Sequence, residues 1–161
     1  MRILKEKEEQ EAEYFLEQAI IEAKKSTCER SKCGSIIVKD NQIIGRGYNS
    51  PANQLESQRR CQNKKEDYHK KVTDKTCCIH AEQRAIINAL KKNLDKLTDS
   101  ILYFIRLDNN NNPQVAGKPY CTICSKLALD TGIKEFILVH EEGIKLYNTE
   151  EYNSISYEYK E

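Results

Sequence analysis

A chain of 161 residues is long enough for one domain with a real core and too short for two. Its 26 basic and 25 acidic side chains leave a formal net charge of +1, so no general attraction to nucleic acid or an anionic membrane is expected. No apolar run is long enough to span a bilayer, and Met1-Arg2-Ile3-Leu4-Lys5-Glu6-Lys7 turns charged before a signal-peptide core develops. The odd count of seven cysteines points to metal binding rather than a disulfide scaffold, and a cytoplasmic protein is expected.

Residues 8–25 place Ala12, Phe15, Leu16, Ala19, Ile20 and Ala23 at helical spacing among charged residues, which predicts an amphipathic helix with one buried face. Ser35–Lys39 and Gln42–Tyr48 read as a β-hairpin turning at Asp40-Asn41. Residues 49–76 are polar and without period, a long loop of the kind that is functional or pinned by something. From His80, Ala85, Ile86, Ala89 and Leu90 mark a second helix, and 101–105 a buried strand. A turn-rich loop follows over 108–118, then a helix over 121–130 stopped at Thr131-Gly132, a strand over 136–139 and a short one over 143–147. The order is that of a single α/β domain with its core over about residues 10–147 and a Tyr-rich tail over 148–161. Because a helix separates strands 101–105 and 136–139, those two should run parallel.

Two short motifs carry chemistry. Cys77-Cys78-Ile79-His80-Ala81-Glu82 is answered by Pro119-Tyr120-Cys121-Thr122-Ile123-Cys124. Imidazole and thiolates suit Zn²⁺, and His80, Cys121 and Cys124 would leave a fourth tetrahedral position open, which means catalysis. Cys121 and Cys124 stand at the start of a helix, where the dipole favours thiolate. Glu82 is placed to take a proton from an activated water and pass it to a substrate nitrogen, as hydrolytic deamination requires. Taken alone, a C-x-x-C pair is also consistent with a redox pair or half a zinc ribbon. Cys28, Cys33, Cys61, His69, Cys77 and Cys78 have no regular spacing, and by themselves read as small buried residues and a solvated loop histidine.

The pair of motifs resembles the H-x-E…P-C-x-x-C signature of the zinc nucleobase deaminases, with Tyr120 inserted between Pro119 and Cys121. Ser26-Thr27-Cys28-Glu29-Arg30, Gly34–Val38 and Gly47-Tyr48-Asn49 with Pro51 resemble the deoxycytidylate (dCMP) deaminase family, over roughly residues 10–140. The resemblance implies a three-layer α/β/α fold around a mixed sheet of about five strands, and hydrolysis of dCMP to dUMP and ammonia by a zinc-dependent homo-oligomer. It implies that Asn49 binds the sugar, the backbone N–H of Ala81 holds the base carbonyl and Glu82 shuttles protons. It also implies a second, structural Zn²⁺ held by Cys28, Cys61, Cys78 and His69, leaving Cys77 spare and Cys33 where the family has an apolar strand residue. Ser50-Pro51 is shorter than the family's usual segment, and the 108–118 loop with Tyr120 departs from it beside the leaving amine, both of which bear on the substrate. The alternatives are a tRNA adenosine deaminase, a deaminase of another amino-heterocycle, and a non-catalytic zinc-stabilised interaction domain. Glu82 argues against the last of these, because a purely structural site has no use for that carboxylate. Arg59-Arg60, Lys64-Lys65 and Lys70-Lys71 are interrupted by acids, which argues against an RNA track.

Overall fold

The structure is a computed structural model that describes residues 1–160. Helix α1 (Glu6–Ala23) turns Ala12, Phe15, Leu16, Ala19 and Ala23 inward, while Glu6, Glu8 and Glu9 in its first turn suit the positive end of the helix dipole. Strands β2 (Lys32–Lys39) and β3 (Gln42–Tyr48) form the expected hairpin. Its turn residues Asp40 and Asn41 both take left-handed φ, 50° and 59°, which matches the twist of the flanking strands. Strands β6 (Ile101–Leu107) and β8 (Glu135–His140) are parallel, joined through helix α3 (Thr122–Asp130), and β9 (Gly143–Asn148) returns antiparallel to β8.

The sheet is ordered β1-β9-β8-β6-β2-β3, where β1 is Arg2–Ile3, and β7 (Pro113–Gln114) pairs with β6. It thus contains the five strands expected plus two edge strands of two residues each, too short to leave a periodic signal in sequence. α1 covers one face, packing on Ile36, Tyr103, Ile105 and Ile137. Helices α2 (Ala81–Lys92), α3 and α4 (Thr149–Tyr157) cover the other, around Ile37, Leu102, Phe104 and Phe136. This three-layer arrangement is the fold expected from sequence.

The expectation of a tail over 148–161 gives way, over Thr149–Tyr157, to helix α4, with Glu161 outside the described residues. Asn148 caps α4 by accepting from the N–H of Glu150 at 3.0 Å, and Tyr152 stacks on Phe136 with ring centroids 4.1 Å apart. Its inward positions, Thr149, Tyr152 and Ser156, are mostly small or polar and hid the amphipathic pattern.

Gly47 sets how closely β3 approaches the second layer. A Cβ there would lie 2.3 Å from the carbonyl oxygen of Ala81 and 2.4 Å from the backbone N of Ala85. Gly47→Ala is therefore expected to push the first turn of α2 outward, costing about 1–3 kcal/mol and lowering turnover. Urea unfolding and steady-state rates check this; wild-type stability and activity would show that the contact yields freely.

Candidate active site

Both motifs sit at helix N-termini that converge. His80 is the N-cap of α2, in extended backbone, and its N–H donates to the Gln83 side chain at 3.0 Å in a capping box. Cys121 is the N-cap of α3, its sulfur accepting from the N–H of Cys124 at 3.4 Å. The short ladder of β4 (Ser50–Pro51) with β5 (Cys78–Ile79) fixes the backbone that leads into His80. As a result Nδ1 of His80 lies 3.2 Å from Sγ of Cys121 and 3.2 Å from Sγ of Cys124.

These three ligand atoms lie within 4.8 Å of one another. Ligands around a tetrahedral zinc, at bond lengths of roughly 2.0–2.3 Å, stand about 3.5 Å apart, so the spacing and the N,S,S donor set both fit Zn²⁺. Nε2 of His80 points away toward Oγ1 of Thr76 at 3.4 Å, and Thr76 in turn donates to Asp74 at 2.5 Å. Such a chain orients a ligating imidazole from behind.

The protonation states are coupled. A hydrogen bond from Cys124, helped by His80, draws the Cys121 thiol down to about 4. The same bond to Cys121 pushes Cys124 well up, and the Cys121 thiolate raises His80 to about 9. Glu82, only 6% exposed beside this trio, is raised above the usual carboxylate range by burial. A buried carboxyl raised in this way and lining the pocket beside the trio is suited to moving protons.

The surrounding pocket is lined by Cys33, Asn49, Ala81, Phe104, Arg106 and Tyr120, with Tyr152 of α4 behind. Ala81 is the first residue of α2, so its N–H has no partner within its own helix. Asn49 is largely committed elsewhere. Its side-chain oxygen accepts from Ser26 Oγ at 2.6 Å and from the N–H of Cys33 at 2.8 Å, and its amide donates to the carbonyl of Ser31 at 2.9 Å. It clamps the start of β2 against the end of β3, and one amide hydrogen is left to meet a ligand.

A second cluster lies beside the first. Sγ atoms of Cys28, Cys61 and Cys78 are within 4.8 Å of one another, as the resemblance implied. His69 does not join them. It is exposed, its Nδ1 accepting from the N–H of Lys71 at 3.2 Å. Instead Cys77, the residue left spare, has its sulfur 3.5 Å from that of Cys61 and 3.9 Å from that of Cys78. The β4–β5 ladder holds Cys78 under the loop, and chain connectivity carries Cys77 with it. Arg30 ties the loop down by donating to the carbonyl of Cys61 at 2.7 Å, as Arg59 does to that of Thr27 at 2.7 Å.

Thr76, Asp74 and Arg106 carry no role in the sequence reading, and Tyr152 enters it only as one of the tyrosines of the tail. Only Arg106 had a legible signal: it is a charge in phase with Leu102 and Phe104 in an otherwise apolar strand.

An α/β/α sandwich carrying an N,S,S metal trio and a buried carboxylate defines a zinc-hydrolase centre. The family described as "Cytidine and deoxycytidylate deaminase zinc-binding region" matches residues 9–140, and the chain belongs to that family. It is 30% identical over 136 residues to the deoxycytidylate deaminase of Mycobacterium phage D29, covering 80% of this chain and 94% of that one. It is 30% identical over 129 residues to the deoxycytidylate deaminase of Schizosaccharomyces pombe, covering 77% of this chain but only 35% of the relative's length. The fold is similar to a solved dCMP deaminase of cyanophage S-TIM5, in complex with dCMP and dUMP, with a TM-score of 0.56 at 22% identity over 83% of this chain and 82% of that one.

Proposed function

We propose that this protein is a zinc-dependent deaminase that hydrolyses dCMP to dUMP and ammonia. The observation that carries the reading is the meeting of His80, Cys121 and Cys124 at 3.2 Å contacts with buried Glu82 behind them. The two relatives named above as deoxycytidylate deaminases support the choice of substrate.

Bound by His80 Nδ1, Cys121 Sγ and Cys124 Sγ, Zn²⁺ supplies the Lewis acidity that makes water a nucleophile near neutral pH. Glu82 takes a proton from the attacking water as its oxygen bonds to C4 of the cytosine ring, and delivers that proton to N3. It then carries the second water proton to the exocyclic nitrogen, the C4–N bond breaks, and ammonia leaves as the uracil carbonyl forms. The N–H of Ala81 holds the base carbonyl, and the remaining amide hydrogen of Asn49 is offered to the sugar. Reaction in ¹⁸O-labelled water tests this: dUMP carrying one labelled oxygen is expected, and unlabelled dUMP or another product would refute hydrolysis at C4.

The same proposal includes a second, structural Zn²⁺ on Cys28, Cys61 and Cys78, with Cys77 supplying the fourth thiolate in place of His69. A closed four-sulfur set would pin the 49–76 loop against the pocket. Cys61→Ser is expected to lower bound zinc from about two per chain toward one, while His69→Ala leaves it unchanged. Zinc content that does not move in Cys61→Ser removes the second site. The exposed row Ile87, Leu90 and Leu94 is the surface a homo-oligomer would bury, and the free thiols of all seven cysteines suit a cytoplasmic, reducing setting.

A further inference from the structure

Along β6, Tyr103, Ile105 and Leu107 pack on the α1 side, while Leu102 and Phe104 face α2 and α3. Arg106 continues the second row and pairs directly across from Cys33 of β2, so the sheet delivers a guanidinium into the pocket wall. It is half-buried, and its Nη2 donates to the Tyr120 hydroxyl at 3.0 Å. Its Nε is sealed from solvent and has no partner, and among the described residues no carboxylate lies within 4.0 Å of the side chain. Removing a cationic donor from water without an acceptor is unfavourable, and the arrangement becomes sensible when an anion completes it.

The other cations of the pocket are placed differently. Arg30 spends its guanidinium on the carbonyls of Cys61 and Asn63, and Arg60 on that of Gln58. Lys65 and Lys118 are exposed at the rim, and Lys75 reaches the carbonyl of Tyr68 at 3.4 Å. Arg106 is the pocket cation with a sealed, unpartnered donor. On the ligand side, Glu82 and the Ala81 N–H serve the polar edge of the base, which leaves the phosphate as the group that requires a cation. The planar fork of a guanidinium matches phosphate oxygens in a way that an ammonium does not.

We propose that Arg106, oriented by Tyr120, binds the 5′-phosphate of the substrate and is the residue that selects the nucleotide over the nucleoside. This rests on the dCMP reading above. The test is calorimetric binding of dUMP and of deoxyuridine to zinc-loaded wild type, Arg106→Gln and Arg106→Lys, with zinc content and melting temperature of each variant measured alongside. Arg106→Gln is expected to weaken dUMP roughly 10- to 100-fold while leaving deoxyuridine within about threefold, and Arg106→Lys to recover part of the loss. Equal weakening of both ligands, unchanged dUMP binding, or a wild type that does not prefer dUMP to deoxyuridine would overturn the assignment. Failure of the parent reading shows separately, as a wild type that binds dUMP through Arg106 yet releases no ammonia from dCMP.

Discussion

Glu82→Gln is expected to lower kcat on dCMP by about 10²–10⁴-fold while keeping zinc and fold. The substitution preserves shape in a site where Glu82 is 6% exposed, so packing around Ala81 and Ala85 is undisturbed. What it removes is a group able to accept a proton from water and release it to two successive nitrogens. Neither the thiolates nor His80, which are engaged with one another, can take over that transfer. Circular dichroism and zinc content should match the wild type; loss of folding or of metal would reassign Glu82 to a structural role.

The second large effect is on metal affinity as pH changes. At pH 7 the His80 imidazole, raised to about 9 by its bond to Cys121, carries its proton, and so does Cys124, pushed well up by the same neighbour. Cys121, held at about 4, is already a thiolate. Zinc requires a neutral imidazole and two thiolates, so uptake near pH 7 should release about two protons, from His80 and Cys124. The sign follows: acidification disfavours binding. Affinity should fall about a hundredfold per unit over roughly pH 5 to 8, and more steeply once Cys121 also takes a proton. Calorimetry in buffers of different ionisation enthalpy counts those protons directly. Zinc affinity that is flat across this range would show that the trio is not the binding site.

The three-layer fold and the catalytic motifs were legible because each rests on strong local signals. The α1 stripe, the Asp40-Asn41 turn and the two motifs at helix starts depend on residues near one another in sequence. What escaped depends on contacts that sequence spacing does not encode. α4 hides its inward face behind Thr149 and Ser156, β1 and β7 are too short to show a period, and β7 forms only because β6 is there to pair with. Resemblance to the family puts His69 at the fourth position of the cysteine cluster. The structure leaves His69 exposed and apart from the three sulfurs, while the β4–β5 ladder, a pairing of residues far apart in the chain, holds Cys78 so that the sulfur of adjacent Cys77 lies 3.5 Å from that of Cys61. Likewise Asn49 reads as a turn residue or a sugar ligand in sequence, whereas its neighbours Ser26, Ser31 and Cys33 make it a clamp between β2 and β3.

The most direct measurement is the loss of cytosine absorbance when dCMP is added to protein loaded with increasing zinc. The expected result is turnover that rises with zinc occupancy of the His80, Cys121 and Cys124 site and disappears on chelation. Zinc held by those three residues with dCMP left unchanged would contradict the assignment of this protein as a dCMP deaminase.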